Sequence, residues 1–228
     1  YQWRKNGFFI PGATSSTFSI GSVTLADAGS YDVILSSSCV NSVISTAATL
    51  KVNPLPAPPT ITGVPSFCPG TSTVLTANGT GTSFQWFKDG NPIPLATSNT
   101  LTVNSIGNYR VTVTDLNSCT SPLSGTVQVT LAPLTSLETI LDKTYCEGTQ
   151  NLVIPVTANG DGPFTFTWKK NGGIYTTGVT TNGNISSISF PSLQLSDAGV
   201  YTLTATGRCN SDTISFNLTV NALPTASV

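Results

Sequence analysis

Five cysteines, Cys39, Cys68, Cys119, Cys146 and Cys209, are the side chains of this sequence best suited to covalent chemistry, and their spacing decides which kind. A tetrahedral zinc site needs Cys or His clustered at short intervals. Here the cysteines are spread singly and the 228 residues include no histidine, so no metal ligand is expected. Structural disulfides formed in an oxidising compartment are the default for such a set. Lack of histidine also removes a His-based triad or a general base of the usual kind. The ten acidic residues include no closely spaced pair on one strand that would suggest a glycosidase dyad. The glycines belong to turns and form no phosphate-cradling loop. The expectation is a non-enzyme with no catalytic residue, no cofactor and no metal.

The elements that position the cysteines repeat along the chain. Trp3 runs into Lys5-Asn6-Gly7 and precedes Asp27-Ala28-Gly29-Ser30-Tyr31. Trp86 runs into Lys88-Asp89-Gly90 and precedes Gly107-Asn108-Tyr109, while Trp168 runs into Lys169-Lys170-Asn171-Gly172 and precedes Asp197-Ala198-Gly199-Val200-Tyr201. Phe18, Ile20, Val23, Leu25, Asp27 and Tyr31 match Ile188, Phe190, Leu193, Leu195, Asp197 and Tyr201 without a gap, each 170 positions later. The central copy is shorter between its tryptophan and tyrosine and lacks the Asp-Ala-Gly turn. A strand-built repeat of this length predicts an all-β chain of tandem β-sandwich modules, an architecture that more often makes a stalk, spacer or binding surface than an enzyme.

Modules of about 80 to 100 residues fit the boundaries. Residues 1–53 read as the C-terminal part of a module, 54–131 and 132–221 as complete modules, and 222–228 as the start of another. The chain is thus expected to be a piece of a longer repetitive protein. The linkers Pro54-Leu55-Pro56-Ala57-Pro58-Pro59 and Ala132-Pro133-Leu134 favour stiff, extended connections, with modules end to end. Charged residues make up 8 %, the net charge is −1 and more than a quarter of the chain is Ser or Thr. No basic patch is available for nucleic acid, and the Lys and Arg side chains, mostly at turns, read as solvated charges. No apolar run approaches the ~20 residues of a membrane span, and no signal peptide opens the sequence.

In the third copy Leu152, Ile154, Val156 and Ala158 alternate as a half-buried strand B, and Phe164, Phe166 and Trp168 as strand C. Asn171-Gly172 supplies a tight hairpin turn. Ile188 to Phe190 reads as strand E, Tyr201 to Ala205 as F and Ile214 to Val220 as G, with the same order in the second copy.

A tryptophan on strand C and Asp-Ala-Gly-x-Tyr leading into strand F resemble the buried tryptophan and tyrosine corner of the immunoglobulin superfamily. The resemblance implies a structural core of Trp3, Trp86, Trp168, Tyr31, Tyr109 and Tyr201, an aspartate capping the E–F turn, and a tyrosine hydroxyl bonding nearby backbone. Asp27 and Asp197 could also be read as calcium ligands, but that ion takes about six to eight oxygens and no carboxylate cluster accompanies them. The fuller pattern runs from Cys-x-Gly before strand B, through Tyr or Phe-Gln-Trp-x-Lys-x-Gly, to Gly-x-Tyr and a late cysteine. It is similar to the immunoglobulin-like repeats of very large Bacteroidota cell-surface proteins. Those are type IX secretion substrates, among them gliding adhesins and polysaccharide-degrading enzymes with repeat stalks. The resemblance implies a secreted, extracellular, outer-membrane-associated location.

In antibody-type domains the two cysteines lie mid-strand on B and F. Ala77 and Val111 take those places in the second copy, and Ala158 and Leu203 in the third. Instead Cys68 and Cys146 precede strand B, while Cys39, Cys119 and Cys209 lie beyond strand F. Strands B and F run in the same direction in this fold, so such cysteines of one module are roughly tens of Å apart, beyond the ~7 Å that a disulfide tolerates between α-carbons. This favours a bridge between modules, Cys68 with Cys209, leaving Cys39, Cys119 and Cys146 to pair outside the chain. An altered strand order would instead restore Cys68 with Cys119 and Cys146 with Cys209.

Asp212-Thr213-Ile214 is similar to the Bacteroidota O-glycosylation motif, which makes Thr213 a candidate acceptor. Asn78, Asn184 and Asn217 fit the N-linked pattern. The expected function is a stiff stalk or adhesin shaft within a large bacterial surface protein. Its partners would be neighbouring modules, surface polysaccharide or other surface proteins, with no nucleic acid. The alternatives are a carbohydrate-binding accessory region of a secreted polysaccharide-degrading enzyme, with a surface tyrosine such as Tyr175 as its test, or a subunit of a surface filament.

Overall fold

The computed structural model describes residues 1–39 and 41–224, so the expected start of a further module at 222–228 lies partly outside the described residues. Among them the chain is all-β, with no α-helix. Contacts divide it into two compact units, one of residues 1–62, 76–99 and 110–126, the other of residues 63–75, 100–109 and 127 onward. The division passes through the middle repeat.

In the first repeat β1 (Gln2–Lys5), β2 (Phe8–Phe9), β3 (Gly29–Leu35), β4 (Val43–Ile44) and β5 (Ala48–Leu50) form one sheet, ordered β2-β1-β3-β4 with β5 also on β3. Trp3 lies opposite Val33, and Lys5 opposite Tyr31. Phe18 to Ile20, the counterpart of Ile188 to Phe190, is not a strand. A strand exists only where a neighbour takes its backbone hydrogen bonds, and among the described residues no strand pairs with these.

The middle repeat holds β6 (Thr60–Thr62), β7 (Ser66–Phe67), β8 (Thr73–Asn78), β9 (Ser83–Lys88), β10 (Asn91–Pro92), β11 (Thr100–Val103), β12 (Gly107–Thr114) and β13 (Val127–Leu131). They form two sheets, ordered β10-β9-β12-β13-β7 and β11-β8-β6. The shortened stretch after Trp86 is put to double use. Ala96 and Thr97 accept from the amides of Trp86 and Phe84 on β9, while Asn99 accepts from that of Ala77 on β8.

The third repeat is a closed sandwich of β14 (Ser136–Leu137), β15 (Lys143–Cys146), β16 (Gln150–Asn159), β17 (Thr165–Lys170), β18 (Gly173–Ile174), β19 (Val179–Asn182), β20 (Ile185–Ser192), β21 (Gly199–Thr206) and β22 (Ser211–Asn221). Its sheets are β14-β16-β20-β19 and β15-β22-β21-β17-β18. The two-residue period decides which face is buried: Ile154, Val156 and Ala158 of β16 are 3 %, 1 % and 1 % exposed, whereas Val153 is 55 % exposed. Ala158 and Leu203, at the places of an antibody-type disulfide, are packed in the core with Trp168, Tyr201 and Phe216.

Candidate functional site

The cysteines divide by their place in these sheets. Ser66 and Phe67 of β7 pair in parallel with Thr130 and Leu131 of β13, and buried Phe67 anchors the strand. The chain then turns at Cys68-Pro69-Gly70-Thr71, where Cys68 O accepts from Thr71 N (2.9 Å) and Thr71 Oγ1 (2.7 Å). Cys209 lies in the hairpin between β21 and β22. The structure brings the two together: Cys68 and Cys209 form a disulfide, with α-carbons 5.3 Å apart, across a sequence separation of 141 residues. Both belong to the second compact unit.

Side chains next to the bridge hold its two sides. Arg208 donates from Nη1 to Ser66 Oγ and from Nη2 to Ser66 O, both at 3.0 Å, and pairs with Asp161 at 2.9 Å. Asn210 clamps the chain entering the third repeat, accepting from Thr135 N at 2.6 Å and donating to Thr135 O at 3.2 Å. Asp212 Oδ2 accepts from Leu137 N at 2.8 Å. Gly207 fits because a Cβ there would come within 2.3 Å of Thr135 Oγ1. The aspartate of the glycosylation-like motif thus has a structural task. Thr213 is exposed on β22, with its hydroxyl 2.9 Å from that of Thr204.

Cys39, Cys119 and Cys146 are free thiols. Cys146 sits in the same kind of turn as Cys68, its carbonyl accepting from Thr149 N (3.2 Å) and Thr149 Oγ1 (2.7 Å). Cys119 is held in a loop organised by Asp115, whose Oδ1 accepts from Cys119 N at 2.9 Å. The alternative pairs, Cys68 with Cys119 and Cys146 with Cys209, are not formed.

Trp86, Trp168, Tyr109 and Tyr201 are each no more than 2 % exposed. Each indole N–H is satisfied, Trp86 on Ser98 O and Trp168 on Ser186 Oγ, both at 2.9 Å. Trp3 and Tyr31 keep the same registers but are half-exposed, the described residues of the first repeat forming one sheet. The tyrosine hydroxyls donate to backbone four residues earlier: Tyr31 to Asp27 O (2.7 Å), Tyr109 to Ser105 O (2.9 Å) and Tyr201 to Asp197 O (2.9 Å). Burial, reinforced by neighbouring Tyr175, pushes the Tyr201 hydroxyl well above its ordinary value. Asp27 accepts from Thr24 N and Oγ1 at 2.7 and 2.8 Å, which lowers its pKa, and Asp197 accepts from Gln194 N at 2.8 Å. Both carboxylates serve the turn, and the described residues hold no cluster of three or more metal-ligating side chains.

Two sequence readings need correction. Lys5 and Lys170 are more than solvated charges: they donate to Ala26 O and Ser196 O and lie over the rings of Tyr31 and Tyr201. Asn6 and Asn171 join them, accepting from Ser30 N and Val200 N at 2.9 Å. The Lys-Asn-Gly turn therefore fastens one hairpin to the tyrosine corner, a role that its recurrence after Trp3 and Trp168 could have signalled. Tyr175 is not an open platform either. It is half-buried, edge-on to Tyr201 with ring centroids 5.3 Å apart, because its hairpin folds back on the core.

Residues 136–220 match the family model of the immunoglobulin I-set domain. No curated protein matches the sequence. Among solved structures, an I-band fragment of titin is similar at 18 % identity and TM-score 0.44, over 97 % of this chain and 87 % of that one. Its three-domain glutamate-to-alanine variant gives 19 % identity and TM-score 0.46 over the same shares. The titin Z1Z2 pair in complex with telethonin gives 16 % identity and TM-score 0.39, over 76 % of this chain and 100 % of that one. No helix among the described residues is long and apolar enough to cross a membrane. Sheet order, tyrosine corners and the I-set match together make this an all-β chain of immunoglobulin-like modules in tandem.

Proposed function

We propose that this chain is a load-bearing segment of a large extracellular bacterial surface protein, built from tandem immunoglobulin-like modules and acting as a stiff stalk or adhesin shaft. The observation that carries the reading is the Cys68–Cys209 disulfide, which joins residues of two successive repeats. Its chemistry suits an oxidising, extracellular setting. Cys39, Cys119 and Cys146, free here, would make the equivalent bridges to modules outside this chain. Thr213, exposed on a strand, would be the acceptor if the protein is O-glycosylated. Surface polysaccharide or other surface proteins would be its outside partners, and export by the type IX route of Bacteroidota is the delivery that the repeat pattern favours. For an accessory carbohydrate-binding role, the core aromatics Trp86, Trp168 and Tyr201 offer no face to a sugar, because they are buried.

A load-bearing role is tested by pulling the chain from its ends in a force microscope. At up to about 3.6 Å per residue, the bridge should hide about 500 Å of contour from the 141-residue separation it closes. Oxidised chains should extend by that much less than chains treated with reductant. Equal extension under both conditions would remove the basis for the reading.

A further inference from the structure

Between the β8–β9 turn and residues 96–99, the middle repeat carries a groove of about 670 Å³, lined chiefly by Thr80, Thr82, Phe84, Thr97, Ser98 and Asn99, all in the first compact unit. Small-molecule sites have volumes of this order. Its walls are fixed by the fold itself. On one side four successive carbonyls are engaged: Ala96 O accepts from Trp86 N, Thr97 O from Phe84 N, Ser98 O from Trp86 Nε1 and Asn99 O from Ala77 N, at 3.2, 3.1, 2.9 and 2.7 Å. On the other, Thr82 N donates to Thr114 O at 2.8 Å, and a Cβ on Gly81 would come within 2.3 Å of Val113 Cγ2, so this turn lies close against β12. In the third repeat Asn184 O does for Ala158 N what Asn99 O does for Ala77 N, but from a β19–β20 hairpin. The groove therefore accompanies the shortened stretch between Trp86 and Tyr109.

The lining is uniform in its chemistry. Hydroxyl and amide side chains surround the half-buried ring of Phe84, and the described lining holds no charged side chain. Among the described residues no hydrogen bond uses the side chains of Thr80, Thr97, Ser98 or Asn99, which leaves these donors and acceptors to a ligand. A second cleft, of about 330 Å³, shares Thr80, Gly81 and Thr82 with the groove and continues to Asp115, Leu116 and Asn117. Asp115 Oδ1 accepts from Asn117 N at 2.8 Å and Cys119 N at 2.9 Å, and its negative charge repels an anion. We propose that the two clefts form one binding site for an uncharged oligosaccharide. The ring of Phe84 meets a sugar face, and Thr97, Ser98 and Asn99 bond the hydroxyls at its rim. A sulfated or uronic-acid chain would find no cation to pair with. An extended peptide could not add as a strand along residues 96–99, because their carbonyls are already taken. The source of such a ligand, a surface polysaccharide, rests on the surface-protein reading given above.

The test titrates the intact, oxidised chain by calorimetry with cellohexaose, maltohexaose, mannohexaose and chitohexaose, and with hexagalacturonate as the charged control. Expected are one-to-one binding of at least one neutral hexamer with a Kd of about 1 mM or tighter, NMR amide shifts centred on residues 80–82, 97–99 and 115–117, and no binding of hexagalacturonate. The double variant Thr97→Ala, Asn99→Ala removes two exposed side chains that hold nothing within the described residues, so its thermal unfolding should be unchanged. Two lost hydrogen bonds should weaken its binding by at least about tenfold. Binding of no neutral hexamer, equal binding of hexagalacturonate, or undiminished binding by the folded variant would overturn the site. A bridge-dependent extension under force without sugar binding would remove the site and leave the stalk reading, whereas sugar binding without that extension would remove the stalk reading alone.

Discussion

Tyr201 shows how much one side chain carries. Its ring stacks on Phe216 and meets Tyr175 and Phe190 edge-on, while its hydroxyl reaches Asp197 O. Removing the hydroxyl by Tyr201→Phe keeps the packing and should cost about 1 kcal/mol in a urea titration. The raised pKa sets a pH dependence with a definite sign. The neutral phenol is favoured in the fold, so its contribution is complete below the ordinary tyrosine value of about 10 and is lost as pH rises above it. Tyr201→Phe should therefore flatten the alkaline side of the stability profile, and an unchanged alkaline limb would show that another group controls it. Tryptophan and tyrosine positions were legible because their spacing to the turn residues repeats. For Lys170 and Asn171 the recurrence of Lys-Asn-Gly after Trp3 and Trp168 was the only signal, because a turn residue looks alike in sequence whether it meets water or a carbonyl.

At the scale of elements, strands of five or more residues announced themselves by alternation, as Leu152 to Ala158 did. The short strands β7 and β15, which lead into Cys68 and Cys146, gave no such signal. Two to four residues are too few for a period, and their order comes from parallel pairing with β13 and β22. Phe18 to Ile20 is the reverse case, a strand-like pattern with no strand beside it. The entry of the chain into the third repeat depends on Asn210, whose side chain replaces a missing strand partner for Thr135. Asn210→Ala should raise the hydrogen-exchange rate of the Thr135 amide by roughly tenfold while leaving the β16 amides unchanged. Uniform acceleration across the repeat would instead mean that Asn210 supports the whole sandwich.

For the whole molecule, the consequence lies in a cross-link that no single module reveals. A bridge over 141 residues restricts the unfolded chain by on the order of 5 kcal/mol in the loop-entropy account, less any native strain. Ala158 and Leu203 occupy the places where an antibody-type domain would be stapled internally, and the cross-link instead joins the start of β8's repeat to the β21–β22 hairpin of the third. Strand direction made that pairing arguable from sequence. The Arg208 contacts to Ser66 were beyond reach, because residues 142 apart have no common periodicity. Peptide mapping of the non-reduced chain by mass spectrometry is the most direct measurement. The account predicts one cross-linked species joining the peptides of Cys68 and Cys209, with Cys39, Cys119 and Cys146 open to alkylation. A Cys68–Cys119 or Cys146–Cys209 peptide would contradict it and return the molecule to separately stapled modules.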